Sequence, residues 1–235
     1  MSDTHSEKTS APAWGAVFDV DGTMVDNHAF HQAAWIELGA RRGLPLDAEY
    51  YRHHIHSKDN TVIMENMRRN FGRDDLGQDV AVEKEAIYRE LYGPRVLPMP
   101  GLSAFLGQLR RAGVPCAVAS NAPEPNARLV LDRLGVADMF PVVLTPDAGF
   151  PGKPAPDLFL AAAAALGLPP AACVVFEDSY SGFLAAEAAG MPFIAVLRGA
   201  NPVSLPYAEK ALIKLHDFEP LEADTVARAL GTALK

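Results

Sequence analysis

The sequence predicts an α/β fold: a mainly parallel sheet with helices on both faces, and a small helical domain inserted after the first strand. Short apolar runs alternate with helical stretches along most of the chain, the pattern of βαβ units. Gly113, Gly135, Gly167 and Gly190 fall where helix C-terminal caps are expected. One segment, 28–92, breaks the rhythm with helical patterning and no strand-like run.

Taken in order, strands are expected over 16–20, 114–120, 142–145, 172–177, 193–197 and 211–215. Helices are expected over 101–112, 125–134, 156–166 and 182–189. In the helical insertion, Ala33, Trp35, Ile36 and Leu38 start the pattern, 62–67 continue it and 82–91 close it. Pro94, Pro98 and Pro100 then mark a linker. This divides the chain into a polar, flexible tail (1–12), an α/β core (13–27 and 95–235) and a helical cap (28–94). An insertion directly after the first strand sits over that strand's end, where it can exclude water and select a substrate.

Composition narrows the function classes. The chain has 235 residues, 49% of them hydrophobic, enough for a sizeable core. A net charge of −8 argues against nucleic-acid binding and requires local cations wherever an anion is bound. Cys116 and Cys173 sit inside apolar runs and read as buried, reduced thiols, with no disulfide framework or zinc site. The start is polar, with no apolar leader, and no stretch is apolar enough to span a membrane. The expectation is a soluble cytoplasmic protein, a monomer or weak homo-oligomer.

Chemistry concentrates at four strand ends or helix starts. Val17 to Val25 reads V-F-D-V-D-G-T-M-V, with Asp19 and Asp21 at the edge where open α/β sheets bind ligands. Side chains two apart share a face of an extended strand, so these carboxylates can converge on one site. One can attack as a nucleophile while the other handles a proton; a merely acidic or metal-binding turn is the alternative. Further along come Ser120-Asn121, then Gly152-Lys153-Pro154 before a helix, and Glu177-Asp178.

In this order and spacing the four segments resemble the haloacid dehalogenase-like superfamily, over the whole chain beyond the first dozen residues. The resemblance implies a Rossmann-like core, a helical cap of the β-phosphoglucomutase-like kind and an aspartyl-phosphate mechanism. Asp19 is then the nucleophile and Asp21 the general acid and base. An aspartate at the second position favours phosphate esters, because the dehalogenases and phosphonate-cleaving members lack it. Glu177 and Asp178, with Asp19 and the backbone carbonyl of Asp21, form an all-oxygen set suited to Mg²⁺. Helix N-terminal acids that only complement a dipole are the alternative for Glu177-Asp178. Lys153 supplies a second positive charge, while the Ser120 hydroxyl and Asn121 amides hold phosphate oxygens; a plain helix cap would explain the latter pair as well.

In the cap, His31 and Trp35 match in spacing a histidine and tryptophan of the β-phosphoglucomutases and related sugar-phosphate phosphatases. His31 is expected on Asp21 or the substrate, with Trp35 packed behind it. The mutases carry a Lys-Gly pair in the loop around 51–60 and a basic residue soon after. Here the pair is His54-Ile55, with Lys58 as the later basic group. That departure lowers the mutase reading relative to a sugar-phosphate phosphatase, although Arg52, His53, His54, His56 and Lys58 can still form an anion site. The expected partner is a small phosphorylated molecule. A non-catalytic phosphate-binding module ranks last, since every motif residue is present.

Overall fold

A computed structural model describes residues 14–56, 58, 60–198 and 206–231; the tail expected over 1–12 lies outside them. Six parallel strands form one sheet in the order β3-β2-β1-β4-β5-β6. They are β1 (Gly15–Phe18), β2 (Cys116–Ala119), β3 (Val142–Leu144), β4 (Cys173–Glu177), β5 (Phe193–Val196) and β6 (Ile213–Leu215). β1 is shorter than expected because the chain leaves the sheet straight after Asp19, whose N–H donates to the Phe176 carbonyl at 3.0 Å.

β1 is central, between β2 and β4, so strand alternation sends its side chains into two cores. Ala16 and Phe18 enter one, where Phe18 stacks on Phe176 at 4.4 Å beside Phe105 and Phe218. Val17 enters the other, with Val175, Phe159 and Phe183. Helices α5 (Leu102–Arg111) and α9 (Ala223–Ala229) cover the first face, α7 (Asp157–Leu166) and α8 (Tyr180–Ala188) the second. α6 (Glu124–Leu134) packs near β3. Helix α9 was not expected from sequence; its seven residues bury only Ala223, Val226 and Ala227, too few for a clear period.

Between β1 and α5 lie α1 (His28–Arg42), α2 (Ala48–His54), α3 (Asn60–Phe71) and α4 (Gln78–Tyr92), and no strand among the described residues. α1 and α4 pack together through Trp35, Leu38, Ile87 and Tyr88. Side chains tie this insertion to the core: Asn126 on α6 donates to Glu85 at 2.7 Å and accepts from Arg89 at 2.8 Å, both on α4. Cys116 and Cys173 are buried and free. Among the described residues, no helix is long and apolar enough to cross a membrane.

Candidate active site

Loops leaving the C-terminal ends of β1, β2 and β3, together with the end of β4, meet at one edge of the sheet. There the Lys153 ammonium bridges two carboxylates, 2.7 Å from Asp19 Oδ1 and 2.7 Å from Glu177 Oε1. All three side chains are buried. Burial pushes the Asp19 pKa up to about 7, with Lys153 pulling the other way and Glu177 adding to the rise. Burial alone would lower Lys153, but Asp19 and Glu177 hold it above the ordinary lysine value.

Glu177 is saturated. Besides Lys153 it accepts from the backbone N–H groups of Asp178 and Ser179, at 2.8 Å each, and from the Ser179 hydroxyl at 2.9 Å. Room for this carboxylate depends on Gly182 in the first turn of α8, where an added Cβ would fall 1.9 Å from Glu177. Gly182→Ala is therefore expected to drive Glu177 off Lys153 and lower turnover by about 10–100-fold. Circular dichroism should stay native; unchanged turnover would show that Glu177 does not orient Lys153.

Gly22 meets two requirements. Its φ of +81° suits glycine, and a Cβ there would strike Asp178 Oδ2 at 2.1 Å. The turn closes with the Gly22 N–H donating to the Val25 carbonyl at 2.8 Å, and the Asp21 carboxylate points toward the helical insertion. It accepts from Asn27 Nδ2 at 2.6 Å and lies 3.1 Å from His31 Nε2. Burial pushes the Asp21 pKa up, but the hydrogen bonds from His31 and the Asn27 amide and the charge of Lys84 outweigh it, holding the carboxyl below its usual value. Lys84 on α4, itself buried, is 2.9 Å from His31 Nδ1. With the ammonium donating to Nδ1, the ring carries its proton on Nε2 and donates to Asp21. Trp35 is buried behind this pair, 5.6 Å from the ammonium.

The structure gives several expected site residues local contacts of their own. The Asn121 side chain is occupied by the Lys153 loop: Oδ1 accepts from the Lys153 N–H at 2.7 Å and Nδ2 donates to its carbonyl at 3.1 Å. Asn121 thus positions Lys153, and two of its amide contacts are not available to a phosphate. The Ser120 hydroxyl accepts from the Ala122 N–H at 3.2 Å, a local turn bond that leaves its proton to donate. The His54 ring lies against Tyr50 at 4.5 Å, and the Lys58 ammonium donates to the His53 carbonyl at 2.9 Å. Neither is brought to the carboxylates by any contact. The His56 ring, from the same stretch, is 6.4 Å from His28. His28 borders Gly22, and burial, aided by Arg198 and His31, pushes its pKa down to about 4.

Sequence reasoning missed Asn27, Lys84, Tyr88 and Arg198. Tyr88 accepts from Asn27 at 2.7 Å. Arg198 donates to Asp178 Oδ2 at 3.0 Å and to Asp26 Oδ1 at 3.0 Å. Only the buried-face position of Lys84 on α4 carried a signal, because a lysine on an apolar stripe must find partners.

Oxygens of Asp19, Glu177 and Asp178 all lie within 4.8 Å of one another. Burial and the nearby Glu177 and Asp19 raise the Asp178 pKa above its ordinary value, with Arg198 and Lys153 pulling the other way. Such crowded oxygens fit a hard divalent cation. Since Glu177 already accepts four bonds, Asp19 Oδ2 and Asp178 Oδ1 are the oxygens open to it. The Asp21 carboxylate is outside this group.

A family model of haloacid dehalogenase-like hydrolases matches residues 15–190, and the chain belongs to that family. Its members generally use a divalent metal. Among relatives, hexitol phosphatase A of Escherichia coli is 30% identical over 207 residues, 88% of this chain and 92% of that protein. β-Phosphoglucomutase of Bacillus subtilis is 29% identical over 217 residues, 86% of this chain and 93% of that protein. A crystal structure of a Rhodobacter sphaeroides CbbY variant with xylulose-(1,5)-bisphosphate superposes with a TM-score of 0.75 at 26% identity, covering 89% of this chain and 96% of that one. These relatives place the chain in the β-phosphoglucomutase-like branch.

Proposed function

We propose that the protein is a Mg²⁺-dependent phosphatase of a sugar phosphate or closely related polyol phosphate, acting through an aspartyl-phosphate on Asp19. The observation that carries this reading is the pairing of two unlike carboxylates. Asp19 is buried against Lys153, while Asp21 faces the His31–Lys84 pair. The place of Asp19 beside a buried cation suits a nucleophile, and the place of Asp21 toward the helical insertion suits the group that handles the leaving-group proton.

Asp19 attacks phosphorus and the ester oxygen leaves. Lys153 and the Ser120 hydroxyl stabilise charge on the phosphoryl oxygens. A phosphate dianion binding beside Asp21 raises its proton affinity. Asp21, which takes a proton from solvent as the dianion binds, gives it to the leaving oxygen and takes one back from the water that attacks the aspartyl-phosphate, ending the cycle protonated. Asp19, Asp178 and the Asp21 carbonyl would hold Mg²⁺, which would supply further neutralisation of the phosphoryl oxygens. Helices α1 to α4 act as the cap: His31 and Lys84 reach the site from it, and the Glu85–Asn126–Arg89 contacts hold it to α6. Two buried, unpaired thiols suit a reducing, cytoplasmic setting.

The β-phosphoglucomutase relative supports a second reading, in which a sugar hydroxyl replaces water as acceptor. His54-Ile55 in place of the mutases' Lys-Gly pair favours water. Offered β-glucose 1-phosphate and a panel of hexose and hexitol phosphates, the protein is expected to release inorganic phosphate. Glucose 6-phosphate as the main product would reverse the assignment.

A further inference from the structure

Arg198 is two residues beyond β5, at φ +45°, a backbone region that residues with a Cβ rarely adopt. Its guanidinium forks between Asp178 Oδ2 and Asp26 Oδ1, at 3.0 Å each, and its Nε is buried with no partner among the described residues. Asp26 lies just before α1, where the chain leaves the core for the helical insertion. Lys153 is shared by Asp19 and Glu177, so Arg198 is the cation in direct contact with Asp178.

We propose that Arg198 is the resident counter-cation of the metal site. It neutralises Asp178 in the metal-free protein, sets how tightly the metal binds, and ties that carboxylate to Asp26 at the base of the helical insertion. This rests on the reading of Asp19 and Asp178 as metal ligands. A divalent ion on Asp178 Oδ1 shares a carboxylate with the guanidinium on Oδ2. Two like charges that close, the guanidinium on a side chain 25% exposed and the ion on a carboxylate 8% exposed, repel with less screening than they would at the surface. The guanidinium therefore weakens metal binding, and in the metal-free protein it relieves repulsion among Asp19, Glu177 and Asp178.

Titration calorimetry with Mg²⁺ on the full chain tests this. Arg198→Gln keeps a hydrogen-bonding side chain without the charge, and is expected to bind Mg²⁺ on the order of tenfold more tightly than wild type. Arg198→Lys keeps the charge and is expected to stay within about threefold. If Arg198→Gln does not fold, Arg198→Met serves, with the same expected gain. Equal or weaker Mg²⁺ binding by the uncharged variant, with wild type binding normally, overturns the proposal alone. No binding of Mg²⁺ or Mn²⁺ by wild type removes the metal reading, and the proposal with it. A crystal structure of wild type with Mg²⁺ gives an independent check: Arg198 should lengthen its contact with Asp178, and a bond still at 3.0 Å beside the bound ion would count against it.

Discussion

Asp19→Asn is expected to lose about 10³-fold or more in turnover. The amide matches the carboxylate in shape but cannot attack phosphorus as an anion. Folding should survive, because Lys153 keeps Glu177 as a partner and Asn121 still clamps its loop. Circular dichroism together with steady-state phosphate release checks both halves of the statement. Near-native turnover in a folded variant would move the nucleophile elsewhere.

Removal of divalent metal is expected to have an effect of similar size. Asp19, Glu177 and Asp178 crowd their oxygens within 4.8 Å, and Lys153 and Arg198 are the side-chain cations in direct contact with them. A phosphate dianion cannot approach that charge without further neutralisation. Exhaustive dialysis against chelator should lower turnover by at least about 10²-fold, and Mg²⁺ should restore it. Activity that persists in protein shown metal-free by elemental analysis would exclude the metal reading.

Much of this was legible in the chain because it is local. An apolar run that ends in Asp19 and Asp21 predicts a strand end, and the glycines after the helices predict their stops. Lys153 and Glu177 could be placed by their positions beside predicted elements. Contacts across long sequence separations were not legible. Lys84 meets His31 from 53 residues away, and Arg198 meets Asp26 from 172 residues away; neither periodicity nor spacing encodes such a pairing. The contact between Asn121 and the Lys153 loop was not legible for a related reason. A side-chain amide suits a phosphate and a backbone equally well, and only the fold brings Lys153 within reach of it. In the cap, a loop with three histidines and a lysine offered several candidates. The folded helices brought His56 toward His28 and turned Lys58 onto the His53 carbonyl at the end of α2.

The central claim is a covalent phosphoryl group on Asp19. Acid quenching during the first turnovers of a hydrolysed sugar phosphate, followed by borohydride reduction and peptide mass spectrometry, tests it directly. Homoserine in place of Asp19 is the expected product, absent without substrate and absent in Asp19→Asn. Rapid phosphate release with Asp19 unmodified at every quench time, or with the label on another residue, would contradict the mechanism.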